Sequence, residues 1–147
     1  MRGIGSAAPP FKLGSFSLEN LIEPVLLAFF KISCPTCQLT FPFLQRFVSR
    51  GGPSVVGVSQ DDAAGTAEFN EAFGVQFLTV QDPAADGYPV SAAYELEHVP
   101  SLFLVEPDGR IGWVSEGFSK PDLEALAARW GITLFDAGDR VPVFKPG

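Results

Sequence analysis

At 147 residues the chain has the length of one domain, and with 46% hydrophobic and 18% charged residues it can bury a real core rather than stay disordered. A formal net charge of −7 argues against a nucleic-acid partner, because a phosphate backbone demands a basic stripe. The longest apolar run, Val25–Phe30, is too short to span a bilayer, and the opening "MRGIGSAAPP" has no stretch that could serve as the apolar region of a signal peptide. The chain as it stands therefore reads as cytoplasmic; an extracytoplasmic place stays open if a leader has been removed.

The first 24 residues mix Gly, Pro and short apolar stretches and read as an arm on the surface, with a turn of helix expected near Leu18–Ile22. "VLLAFF" (Val25–Phe30) lacks alternation, as a strand covered on both faces does. Beyond Cys37, Leu39, Phe43, Leu44, Phe47 and Val48 recur at helical spacing until Gly51-Gly52-Pro53, and Pro42 is expected to kink that helix. "SVVGVS" (Ser54–Ser59) is a second buried strand. Asp61 or Asp62 can cap a helix over Ala63–Phe73, which Gly74 closes. Leu78–Asp82 reads as a third strand and Pro89–Leu96 as a short helix. "HVPSLFLVEPDGRIGWVS" reads as strand, tight turn, strand, an antiparallel pair. A last helix starts at Ser119 and ends before Gly131, and residues 132–147 look like a surface tail. The order β-α-β-α-β-α-β-β-α predicts an α/β fold, a central mixed sheet with helices on both faces, in a single domain.

Both cysteines of the chain lie in "KISCPTCQLTFP", three positions apart, between a buried strand and a helix. A helix amino terminus presents unpaired N–H groups and partial positive charge, and both favour a thiolate at Cys34. Pro35 suits the first helical turn. Cys37, one turn on, lies on the same side, more buried and less ionised. Cys34 is thus expected to attack a disulfide and Cys37 to resolve the mixed disulfide. A structural zinc site would need a fourth ligand beyond Cys34, Cys37 and His98, so no metal is expected. A static disulfide across so short a loop would stabilise little. No cofactor is called for by this pattern.

The unit strand–CPTC–helix resembles the thioredoxin superfamily, and Pro42 stands five residues after Cys37, where thioredoxins carry their helix-kinking proline. The downstream "HVPSLFLVEPDGRI" is a second point of likeness. Within the superfamily the "APPF" opening, the extra helix and strand after "SVVGVSQDD", and "FGVQFLTVQD" before "AAYELEHVPS" resemble the TlpA-type, redoxin-like branch, over about residues 8–130. The resemblance implies a thioredoxin-like fold, a cis bond at Val99–Pro100, and a substrate rim made by Val99, Pro100, Pro35 and Thr36. It also implies partners of two kinds: protein disulfides or dithiols as substrates, and a redox protein that donates or accepts electrons.

Departures from that pattern matter. Ser33 stands where many thioredoxins have Trp, Ala28 where they have a buried Asp, and Thr40 where TlpA-type proteins have Glu. No acid is therefore in place to take the Cys37 proton; Thr40 or water is left to assist, and Lys31 is a candidate for tuning Cys34. A thiol peroxidase on the same fold is the alternative enzyme, but the peroxidatic pattern P-x-x-x-T/S-x-x-C fails on Cys34 (Leu27, Lys31) and on Cys37 (Phe30, Cys34). A redox-inert binding module on the same fold is the alternative outside enzymes. His98 is a lone loop histidine whose titration range makes it a candidate at the rim.

Overall fold

The computed structural model describes all 147 residues. Its centre is a five-stranded sheet in the order β5-β4-β3-β6-β7. These strands are β3 (Val25–Phe30), β4 (Ser54–Ser59), β5 (Leu78–Gln81), β6 (Ser101–Val105) and β7 (Ile111–Glu116). Strand β3 runs parallel to β4 and antiparallel to β6, and β4 pairs in parallel with β5. The mixed sheet follows from the connections. A helix carries the chain between the parallel strands, whereas β6 and β7 are joined by a tight turn with Gly109 at φ +81°.

All six residues of "VLLAFF" are buried, as a central strand requires. Alternation then divides them. Leu26, Ala28 and Phe30 face a core shared with helices α1 (Pro35–Ser49), α2 (Ala63–Phe73) and α4 (Lys120–Ala128); Val25, Leu27 and Phe29 face a second core beneath helix α3 (Pro89–Ala93) and the amino-terminal arm. Phenylalanines build much of both layers. Phe30, Phe41 and Phe69 stack against one another with centroids 4.2–5.6 Å apart, and Phe29, Tyr94 and Phe103 form a similar trio on the other face.

Three expectations need correction. The arm holds no helical turn. It forms a small hairpin, β1 (Lys12–Leu13) with β2 (Phe16–Ser17), and residues 6–8 then add to the edge of the β6–β7 turn through bonds such as Ile111 N–H to Ser6 O at 2.9 Å. Helix α3 is shorter than Pro89–Leu96, because Tyr88 and Glu95 adopt left-handed backbone at its two ends. Residues 132–147 are not simply a surface tail. Leu134 and Phe135 are buried in the core, Phe135 against Phe43 and Phe118. Arg46 on α1 and Arg50 at its C-cap clamp Asp139 and Asp136, the closest contacts being 2.6 and 3.0 Å. The chain then returns as strand β9 (Phe144–Lys145), paired with β8 (Phe118–Ser119). Helix α1 runs unbroken through Pro42 to Ser49. No helix is long and apolar enough to cross a membrane.

Phe41 is fully buried among Phe30, Phe69 and Phe77. Its truncation in Phe41→Ala is expected to cost about 3–5 kcal/mol, read from the urea unfolding midpoint at unchanged m-value. A cost below about 1 kcal/mol would show that this aromatic layer does not carry the stability assigned to it.

Candidate active site

Strand β3 ends at Phe30, and the next residues form a short loop that delivers Cys34 to the start of α1. Cys34 is the N-cap, with extended backbone (φ −83°, ψ 114°), and Pro35 takes the first helical position. The N–H of Cys37 donates to Cys34 Sγ at 3.2 Å, so the sulfur does the work that a Ser or Asp oxygen does at other helix starts. The loop is fixed from two further sides. Gln38 Nε2 donates to Ile32 O at 3.0 Å, and the Ile32 N–H donates to Asp61 Oδ2 at 2.8 Å.

The second wall comes from β6. Its first residue, Ser101, pairs with Phe29, so the residues before it lie beside the loop that follows β3. The Val99–Pro100 bond is cis. Cys34 Sγ–H donates to Val99 O at 3.5 Å, and the Ser101 hydroxyl donates to His98 O at 2.7 Å, holding that turn closed. Cys34 and Val99 are half-buried; Pro100, Thr36 and Cys37 are buried; Pro35 is exposed. A cleft of about 500 Å³ opens over Cys34, with Pro35, Lys31, Gln60, His98 and Val99 in its walls. A larger, mostly apolar cleft of about 810 Å³ lies where β3 and β4 begin and contains neither sulfur.

The two sulfurs are unlike. Cys37 is fully buried, and its thiol is pushed well above the ordinary cysteine range. Burial is the main cause, followed by the hydrogen bond with Cys34; the charge of Asp61 adds to it, and the Lys31 backbone opposes it. Both cysteines are free thiols.

The structure thus gathers Cys34, Cys37, Pro35, Thr36, Val99 and Pro100 in one place. Lys31 is exposed and shares the cleft with Cys34, while its backbone carbonyl accepts from the Cys34 N–H at 3.3 Å. Thr40 is buried one turn beyond Thr36 and donates its hydroxyl proton to Thr36 O at 2.7 Å. Its proton is thus committed to the helix backbone. His98 is exposed on the cleft wall.

Gln38, Asp61 and the segment Phe144–Gly147 are neighbours that sequence reasoning missed. Asp61 was legible in principle. Strands β3 and β4 are parallel, so Gln60 and Asp61, the two residues just past the end of β4, stand beside the loop just past the end of β3. Asp62 is the one that caps α2, accepting from Gly65 N–H at 2.7 Å.

The profile of the AhpC/TSA family matches residues 4–114. The thiol-disulfide oxidoreductase ResA of Bacillus subtilis is 28% identical over 123 residues, covering 77% of this chain and 67% of that protein. Among solved structures, the thioredoxin domain of a thiol-disulfide oxidoreductase from Bacteroides vulgatus superposes with a TM-score of 0.76 at 22% identity, over 88% of this chain and 99% of that one. A putative thiol:disulfide interchange protein DsbE from Chlorobium tepidum does so with a TM-score of 0.71 at 25% identity, over 87% and 95%. The fold is thioredoxin-like.

A raised Cys37 means that this group stays a thiol as pH climbs through the range where a free cysteine ionises. Iodoacetamide should therefore modify Cys34 alone in the folded protein from pH 6 to 9, and Cys37 only after denaturation, as read by peptide mapping. Labelling of Cys37 at a comparable rate in the native protein would contradict the asymmetry.

Proposed function

Because this chain belongs to the AhpC/TSA family, we propose that it is a thiol–disulfide oxidoreductase that exchanges disulfides with protein clients through Cys34 and Cys37. One observation carries the reading. An accessible sulfur accepts an N–H from the first turn of a helix, that of Cys37, whose own sulfur lies buried behind it. The first arrangement leaves a nucleophilic sulfur within reach of a client; the second keeps a resolving thiol in reserve. The ResA relative and the DsbE-like neighbour carry names of the same chemistry.

The steps balance as follows. The Cys34 thiolate attacks one sulfur of a client disulfide, forms a Cys34–client disulfide and expels the other client sulfur as a thiolate. Cys37 then gives up its proton to that leaving thiolate or to water, and its sulfur attacks Cys34. The Cys34–Cys37 disulfide forms, and the second client sulfur leaves. The client gains two electrons and two protons, and the dithiol loses them. Run backwards, the same steps oxidise a client dithiol. A redox protein of the opposite poise returns the pair to its starting state.

Val99 and Pro100 form the rim against which the client backbone lies, with Pro35 and Thr36 opposite. Lys31, in the same cleft, adds a positive charge that attracts the reacting anion. Thr40 serves through the helix backbone: its hydroxyl ties the first turn at Thr36.

Cys37→Ser should retain attack and lose release. Incubated with a disulfide-bonded client such as insulin, it should accumulate a covalent adduct through Cys34, visible on a non-reducing gel and abolished by dithiothreitol. Cys34→Ser should form none, and only the unaltered protein should turn over. Failure of the Cys37→Ser variant to form any adduct would leave the fold without the proposed activity. Rapid loss of both thiols to hydrogen peroxide, with no insulin reduction, would favour a thiol peroxidase instead.

A further inference from the structure

The rim around Cys34 is already in contact with a piece of this chain. Val143 O accepts from Lys120 N–H at 2.9 Å, and β9 (Phe144–Lys145) then pairs antiparallel with β8, Phe118 opposite Lys145 and Ser119 opposite Phe144. The next residue reaches the CPTC turn itself: Thr36 Oγ1 donates to Pro146 O at 2.7 Å. Gly147 then lies against Val99, whose carbonyl also accepts from Cys34, and it forms part of the wall of the Cys34 cleft.

Two glycines make this approach possible. Gly117, at φ +73°, donates its N–H to Pro100 O at 2.9 Å, and a Cβ there would stand 2.6 Å from Lys145 O. A Cβ on Gly147 would collide with the Val99 carbonyl. The segment is otherwise exposed: Phe144 keeps 56% of its surface in solvent. It is held by backbone pairing and one side-chain hydrogen bond, not by burial. A few such bonds are easily exchanged for others of the same kind.

Taking Cys34 and Cys37 as the reacting pair proposed above, we infer that Phe144–Gly147 is an intramolecular competitor for the client groove. It lies extended over the Thr36–Val99 rim, where an extended polypeptide would lie, and it must leave before a protein client can bind there. Disulfides too small to use the rim reach Cys34 through the open cleft and do not compete with it. The chain thereby discriminates against loosely bound clients: only one that pairs with the rim better than Phe144–Gly147 does will displace it.

The test compares the full chain with a form ending at Val143, which keeps the Arg46–Asp139 and Arg50–Asp136 clamps and the Lys120 bond. Gly117→Ala in the full chain is the second variant; its Cβ meets Lys145 O outside the Cys34 cleft, so it displaces the segment by collision and not by deletion. Each is assayed with insulin as the protein disulfide and with 5,5′-dithiobis(2-nitrobenzoate) as the small one. Both variants should raise kcat/KM for insulin roughly tenfold, mainly through KM, while the rate with the small disulfide stays within about twofold. An unchanged or lower insulin rate in both variants overturns the inference and leaves the oxidoreductase reading standing. Equal acceleration with both disulfides also overturns it, since the segment would then only shield the sulfur. If no form reduces insulin, the oxidoreductase reading itself fails and the inference falls with it.

Discussion

The N–H of Cys37 donates to the sulfur of Cys34 at 3.2 Å, and that bond exists because Pro35 opens a helix directly after Cys34. Pro35 brings no N–H of its own to be satisfied, and its φ is already helical. The sulfur therefore meets one of the unpaired donors of the first turn, the Cys37 N–H. The same geometry puts Cys37 one turn further on and inside the core, where charge is costly. One helix start thus produces two sulfurs of opposite character within reach of each other, as stepwise disulfide exchange requires.

The sheet keeps that helix start in place. Strand β3 is paired on both sides and buried on both faces, so the loop it feeds has little freedom at its root. Asp61, Gln38 and the Lys31 carbonyl fix the rest of the loop. Strand β6 begins opposite the end of β3, which sets Val99 and Pro100 beside Cys34 across 65 residues of sequence. The AhpC/TSA match and the thioredoxin-like neighbours place the chain among proteins built on this plan. Ala28 and Thr40, both buried on this side of the sheet, carry no carboxylate. Asp61 is the carboxylate whose charge acts on Cys37.

Much of this was legible in sequence because it rests on local rules. "VLLAFF" could only be a covered strand, Gly74 and Gly51 could only end helices, and CPTC after a strand announced a thiol pair. What could not be read depends on partners far along the chain. Leu134 and Phe135 look like any apolar pair in a Pro-containing tail. They become core because Arg46 on α1 and Arg50 at its C-cap anchor Asp139 and Asp136 beside them. Thr36 reads as a spacer between two cysteines; its bond to Pro146 spans 110 positions. The arm near Leu18 carries Leu and Glu, which favour helix, but Asn20 takes left-handed backbone and Leu18 is used by the core instead.

The central claim is that Cys34 and Cys37 act as one two-electron couple. An equilibrium titration against glutathione buffers, with mass analysis of every acid-quenched sample, tests it most directly. The account predicts a single transition with a two-electron Nernst slope, both thiols lost together to a Cys34–Cys37 disulfide, and no glutathione adduct prominent at any ratio. A stable adduct on Cys34 with Cys37 still reduced across the transition would contradict it.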